Sequence, residues 1–362
     1  MFRTVLTVMV VSGSLAACGG DSGSGKAAAG SDSTAHAASA TAGADLTGAG
    51  ATFPYPIYSK WFADYAAKTG VKINYQSIGS GGGIRQLTEG TVDFGASDAP
   101  MSDDEVRKLK GPVLHVPTVL GAVVITYNVP GVTQPIKLTG DLVADIFAGK
   151  VTKWNAPRLT ALNTGVALPN QDILVAHRSD GSGTTYIFSD YLAAVSPSWS
   201  KAPGKGKELQ WPVGIGAKGN EGVAGQVKQT PGAIGYVELA YARQNNLPFA
   251  SIKNANGEFV APTTESVTAD AAGVAAKLPP NTDFRVSIVN APGAGAYPIS
   301  SFTFLLVPRN IPDAAKGKKL VDFVRWALTT GEQEAASLDY APLPAAIVSM
   351  LTARLDSIKI GS

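Results

Sequence analysis

The sequence predicts an α/β fold. Three observations carry that prediction: strand-like segments alternate with helical ones from Asp45 onward, glycine-rich turns recur where a strand gives way to a helix, and two apolar runs read as buried strands. The same alternation predicts largely parallel strands. A chain of 362 residues has room for two compact domains, and 45% hydrophobic with 16% charged residues is ordinary globular composition. Its 40 glycines and 23 prolines are separated throughout by hydrophobic segments, which suits many strand-to-helix turns. The net charge of +2, from 30 basic and 28 acidic residues, leaves no excess to neutralise a phosphodiester backbone, so no nucleic-acid partner is expected. Three histidines and one cysteine offer no metal cluster, and no cofactor is expected.

Along the chain, residues 1–17 read as an export signal: Arg3 precedes an apolar stretch from Val5 to Val11, and small residues lead into Cys18. The apolar stretch is too short to span a bilayer as a helix. "LAAC", Leu15 to Cys18, is similar to a lipoprotein cleavage box, which would make Cys18 a lipid-modified first residue and a membrane anchor. Residues 18–44 are mainly Gly, Ser and Ala, cannot repay the entropy of ordering, and read as a flexible tether. "PIYSKWFADYAAKTG" sets Ile57, Trp61 and Tyr65 four apart on one helical face and stops at Gly70. "VKINY" alternates as a half-buried strand does. "VLHVPTVLGAVVITYN", interrupted by Pro117 and Gly121, reads as two buried strands or as one strand crossing between domains; "FTFLLV", Phe302 to Val307, is a second apolar run. "SPSWSKAPGKGKELQ" and "IKNANGEFVAPTTES" read as surface loops or a hairpin, and no repeat of fixed period is present.

Three junctions share a chemistry: "LTGAGATFPYPIYSKWF", "INYQSIGSGGGIRQLTEG" and "ILVAHRSDGSGTTYIFSDYL". In each, a strand ends, glycines permit close backbone approach, a Ser or Thr hydroxyl sits at the turn, and an amphipathic helix comes next. A helix N-terminus carries unpaired N–H donors and a partial positive charge, so it binds an anion without a lysine. A single junction of this kind is equally a plain capped turn; three together suggest a shared ligand. Arg178 stands two residues before Asp180, so both side chains can share a face, with the carboxylate holding the guanidinium for a bidentate contact. Asp98 in "DFGASDAP" reads equally as a turn or cap residue.

Two other chemistries compete for these residues. Ser182, with His177 nearby, would be the nucleophile of an exported phosphohydrolase, but the stretch Asp180-Gly181-Ser182-Gly183-Thr184 lacks the strained G-x-S-x-G elbow, and His177 should point away from the face of Arg178. "GIGAKG", Gly214 to Gly219, matches the dinucleotide pattern with Glu238 downstream, yet Gly222 and Gly225 interrupt the next segment and the match reads as a loop at the surface or the mouth of a cleft.

The motifs "LTGAGATFPYPIYSKWF", "IGSGGGIRQLTEGTVDFGASDAPMSDDE", "HRSDGSGTTYIFSDYL", "WPVGIGAKGNEGVAG" and "TPGAIGYVELAYARQNNL" closely resemble the periplasmic phosphate-binding proteins of bacterial phosphate-specific ABC transporters, in order from Leu46 to the C-terminus. The resemblance implies the two-lobed type II periplasmic binding protein fold, with a hinge and an anion buried between lobes spanning 45–121 plus 297–362 and 122–296. It implies a monomeric binding protein, not an enzyme, that delivers inorganic phosphate to transmembrane permease subunits. By motif, Thr52 and Phe53, Ser80, and Ser182, Gly183 and Thr184 would supply hydroxyl and backbone donors. Arg178 would be the cationic ligand, supported by Asp180, and Asp98 the acceptor. Sulfate, which has no proton at neutral pH, is the rival oxyanion that Asp98 would reject. The tether and the lipid box resemble surface-anchored members, so the location implied is the periplasm or the outer face of the cell membrane.

Overall fold

The computed structural model describes residues 45–275, 278–279 and 281–361, all within one compact unit, Ala40–Ser362. The expected export signal (1–17), Cys18 and the tether (18–44) lie outside the described residues.

Eight strands form one mixed sheet: β1 (Leu46–Gly50), β2 (Ile73–Ser77), β3 (Phe94–Ser97), β4 (Val113–Tyr127), β5 (Leu174–Arg178), β6 (Ile215–Ala217), β7 (Ala233–Glu238) and β8 (Ser300–Pro308). Their order across the sheet is β2-β1-β3-β8-β4-β7-β5-β6. Strands β2, β1 and β3 pair in parallel, as do β7, β5 and β6, and the strands between them pair antiparallel. The expectation of largely parallel strands therefore describes the two outer wings and is corrected at the centre.

The run around Pro117 is one strand, not two. Along β4, Val113 to Ala122 pair with β8, and Val123 to Tyr127 pair with β7, so a single strand passes from the first wing to the second. Pro117 has no N–H to give to a central ladder. The register slips there, between Thr303 and Phe304 of β8, as a β-bulge.

Helices cover both wings. On the first, α1 (Tyr55–Thr69) buries Ile57, Trp61 and Tyr65 and stops at Gly70 in the left-handed region, as its spacing predicts. The Ala314–Ala327 helix packs against α1 through Phe323 and Trp326, which lie 5.3 Å from the Tyr65 ring. On the second wing, Phe188 stacks on Tyr236 at 4.3 Å and meets Phe147 edge-on at 4.7 Å. This aromatic cluster fixes Tyr236, whose hydroxyl reaches the backbone of Arg178 at the end of β5. "SPSWSKAPGKGKELQ" is not all loop: Pro197–Lys201 is helical, because Ser196 caps it and Trp199 is buried. "IKNANGEFVAPTTES" does contain a hairpin, Ser251–Lys253 against Phe259–Val260. No helix among the described residues is long and apolar enough to cross a membrane.

Candidate functional site

Within each wing the parallel strands end at helices whose first turns converge on the seam between the wings. Besides α1 these helices are α2 (Ser80–Glu89), α3 (Gly183–Val195) and α4 (Gly219–Gln229). Of the three junction hydroxyls, one caps its helix. Ser182 Oγ accepts from Thr185 N at 3.0 Å and caps α3, whereas α1 begins after Pro54 and α2 after Gly79, neither with a side-chain cap. The hydroxyls of Thr52 and Ser80 are engaged across the seam instead.

Ser80 Oγ accepts from Asp98 N at 3.2 Å and from Gly183 N at 3.1 Å, tying α2 to α3. Beside it, Gly81 N donates to Gly181 O at 2.8 Å. The fit requires glycine: a Cβ on Gly183 would collide with Asp98 Oδ2 and Ser80 Oγ, and one on Gly79, at φ +85°, would collide with Asp180 and Gly181. Thr52 Oγ1 accepts from both nitrogens of Asn220, and its carbonyl accepts from Tyr241 Oη at 2.6 Å; the Phe53 carbonyl accepts from Tyr340 Oη at 2.6 Å. The backbone N–H groups of Phe53, Ser80 and Thr184 donate to no group among the described residues. Three helix-end donors thus remain at the seam.

The charged pair has the expected geometry. Arg178, 3% exposed, grips Asp180 bidentately, Nε to Oδ1 at 2.7 Å and Nη2 to Oδ2 at 2.6 Å, and Nη1 donates to Thr184 Oγ1 at 3.3 Å. Burial disfavours the Arg178 cation, but Asp180 overcomes it and holds the group charged; burial likewise opposes the Asp180 carboxylate, and Arg178 keeps it ionised. Behind them, Tyr236 Oη accepts from Arg178 N at 3.1 Å and shares a 2.6 Å bond with Thr185 Oγ1.

Asp98, 1% exposed, is the carboxylate at the seam that no cation pairs directly. Its Oδ1 accepts from Thr303 Oγ1 at 2.8 Å. Burial pushes its pKa up to about 7, with Thr303, the Arg178 charge and Ser80 holding it from going higher. Thr303 was overlooked within "FTFLLV"; its one polar residue was the available signal. The loop after Asp98 is anchored at its far end by the capping box of Ser102 and Glu105.

The competing chemistries do not fit. Ser182 Oγ bonds Thr185 N and not His177, which stacks on Trp211 at 4.7 Å with Nδ1 3.0 Å from the Arg178 carbonyl. Burial lowers the His177 pKa, partly offset by that bond. "GIGAKG", read as a loop at the surface or the mouth of a cleft, is instead a fourth strand-to-helix junction at the seam: β6 occupies its middle and α4 begins at its last glycine, whose N–H donates to Asp180 Oδ1 at 3.1 Å. A dinucleotide loop would come after the strand, not contain it. Glu238 ends β7 fully buried, with Oε2 accepting from Ala240 N at 2.8 Å and Tyr340 Oη at 3.2 Å, far from a ribose-binding role. Burial raises its pKa well above the usual range. Among the described residues no His, Cys, Asp and Glu cluster suits a metal ion.

At the cleft mouth, Lys207 of the second wing pairs with Glu105 of the first at 2.7 Å, and Arg285 pairs with Asp103 at 2.7 Å. The seam is therefore closed at both its floor and its rim.

Buried donors around one carboxylate, at a seam crossed by a single strand, define a solute-binding protein of the two-winged type. The model of the PBP superfamily domain matches residues 35–328, so the chain belongs to that superfamily. Within it the chain belongs with the phosphate-binding proteins PstS. It is 47% identical over 309 residues to the PstS of Xylella fastidiosa (strain Temecula1), covering 85% of this chain and 84% of the relative. It is 45% identical over 307 residues to that of Haemophilus influenzae, covering 84% and 91%. A solved structure of a high affinity periplasmic phosphate-binding protein, PfluDING, bound with phosphate, aligns with a TM-score of 0.69 at 22% identity, over 88% of this chain and 96% of its own. At that identity the likeness speaks for the fold.

Proposed function

We propose that this chain binds inorganic phosphate between its two wings, outside the cytoplasmic membrane, and delivers it to the permease subunits of an ABC transporter for import. The observation that carries this reading is Asp98: one buried carboxylate, without a cation of its own, facing the ends of helices that present only donors. Phosphate keeps a proton near neutral pH and can donate it to Asp98, whereas sulfate would meet the carboxylate with a lone pair. An unmatched buried polar group of that kind costs on the order of 10⁴-fold in other systems.

In this reading Thr52, Ser80, Ser182 and Thr184 supply hydroxyl donors, Phe53, Ser80 and Thr184 supply backbone donors, Gly183 allows close approach while its N–H holds Ser80 Oγ, Arg178 supplies the positive charge, and Asp180 its support. Micromolar affinity needs about −8 kcal/mol. Charge-assisted hydrogen bonds of roughly 1.5–3 kcal/mol each and helix ends of roughly 0.3–2 kcal/mol each reach that with a handful of contacts, even without simple additivity. Residues 45–121 with 297–362 and residues 122–296 act as the two lobes; the change of partner along β4 between Ala122 and Val123 supports that division. Phosphate touching both lobes favours the closed form that a permease would recognise. Export, with a lipid on Cys18 holding the chain to the membrane, is supported by the sequence of the first 44 residues.

The function is binding rather than turnover, as in the PstS relatives. Titration calorimetry with phosphate, sulfate and a phosphomonoester tests it. Tight binding of phosphate alone is expected, and release of phosphate from a chromogenic phosphomonoester, abolished by Ser182→Ala, would overturn it.

A further inference from the structure

Asn220, the second residue of α4, is fully buried, and its side chain has only one possible orientation. The backbone N–H of Glu238 can only donate, and it meets Asn220 Oδ1 at 2.9 Å, so Nδ2 must face the other way. There it donates to Thr52 Oγ1 at 2.7 Å and to Thr184 Oγ1 at 3.1 Å, one hydrogen to each. The Asn220 backbone N–H adds a second bond to Thr52 Oγ1 at 3.2 Å. A hydroxyl has two lone pairs and one proton. Thr52 receives two donors from Asn220; Thr184 receives one from Asn220 and one from Arg178 Nη1. Each has only its proton left for a third partner. Ser80 reaches the same state without Asn220, through the N–H groups of Asp98 and Gly183.

We propose that Asn220 is a positioning residue that turns Thr52 and Thr184 into obligate donors toward the bound anion, and so disfavours a proton on the anion oxygens that face them. The inference rests on phosphate being the ligand, as proposed for this chain. Thr52 lies in the first wing and Asn220 and Thr184 in the second, so the device is complete only when the wings meet. With Thr52, Ser80, Thr184 and the helix-end amides all donating, the carboxylate that can accept a proton from the ligand is Asp98. A second proton finds no acceptor at Thr52, Ser80 or Thr184. The other titratable groups nearby keep their partners whichever proton is present: Arg178 is locked to Asp180, and Glu238, whose pKa burial raises well above the usual range, accepts from Ala240 N and Tyr340 Oη behind Asn220. Asn220 thereby favours an oxyanion whose oxygens facing Thr52 and Thr184 are bare.

Calorimetric titration with inorganic phosphate tests this in four proteins: wild type, Asn220→Ala, Thr52→Val with Thr184→Val, and the triple variant, at about pH 8 and about pH 6. Asn220→Ala should weaken binding roughly ten-fold or more at the higher pH. Measured against wild type at the same pH, so that the titration of Asp98 near 7 is common to both proteins, the loss should shrink at the lower pH, because hydroxyls free to rotate can accept the second proton. In the double-valine background, adding Asn220→Ala should change affinity by less than about two-fold. Equal losses in both backgrounds and at both pH values would mean that Asn220 merely supports the fold, and would overturn the proposal. If Asn220→Ala does not fold, Asn220→Asp keeps the volume and the acceptor for Glu238, forces both threonines to donate backwards, and is read by the same comparison. Failure of the wild type to bind phosphate would instead remove the functional reading on which the inference stands.

Discussion

Asp98→Asn separates phosphate from sulfate at constant side-chain volume. Thr303 Oγ1 can go on donating to an amide oxygen where it now meets Oδ1 at 2.8 Å, which turns the new NH₂ toward Ser80 and Gly183, where Oδ2 now lies. A proton on phosphate then faces a donor. The loss is one charge-assisted hydrogen bond, about 1.5–3 kcal/mol, or roughly ten- to 150-fold in affinity. Sulfate moves the other way: the repelling carboxylate is gone and a donor replaces it, for a gain of similar size. The phosphate-to-sulfate affinity ratio should therefore fall by about 10²- to 10⁴-fold. Calorimetry with both anions should be run at about pH 8, above the value near 7 that burial gives Asp98, so that the wild-type carboxylate is ionised. A ratio that moves by less than about two-fold in a folded variant would refute proton counting as the basis of selectivity.

Gly183→Ala should abolish phosphate binding while leaving the ligand-free fold intact by circular dichroism, because its methyl would occupy the space of Asp98 Oδ2 and Ser80 Oγ only when the wings are closed. Arg178→Lys keeps the charge but loses the bidentate grip on Asp180 and the bond to Thr184, so affinity should drop roughly ten- to 150-fold by calorimetry. Stability of the ligand-free chain should fall as pH rises from about 6.5 to about 8. In that window Asp98, held near 7, and Asp270 and Glu332, held near 8 by burial, still bind protons that the unfolded chain has released. The buried His115, lowered to about 4, and His177 act with the opposite sign only below about 6.5, where the unfolded imidazole begins to protonate. A midpoint of thermal unfolding that climbs across the window would contradict the burial of these carboxylates.

Local chemistry was legible in the sequence where it is local in space. Arg178 and Asp180 lie two apart on one strand end, and their ion pair is implied by that spacing alone. The helix over Tyr55–Thr69 is implied by its apolar spacing and Gly70. What the sequence hid is contact between distant segments. Asn220 meets Thr52 from 168 residues away, and Thr303 meets Asp98 from 205 away. Nothing in a composition or a period brings such pairs together. A Ser or Thr hydroxyl sits at each of the three junctions, yet only Ser182 caps a helix; at Thr52 and Ser80 donors from the opposite wing occupy the oxygen.

The fourth junction was missed for a physical reason that also explains where the site lies. Strand β6 is three residues long at a sheet edge with Ile215 exposed, so it lacks the apolar run that marks a buried strand. In open α/β sheets, ligands sit beyond the carboxyl ends of parallel strands, where the order of strands reverses. Here each wing supplies such ends: Thr52, Ser80 and Asp98 come after β1, β2 and β3, while Ser182 and Asn220 come after β5 and β6. The antiparallel strands between the wings let both sets of ends face one seam. Parallel strands throughout would need a helical crossover between the wings, whereas β4 crosses directly. "AHRSDGSGTTY" thus brings Arg178 and Ser182 to a seam whose other side carries Asp98, the residue proposed to select the anion.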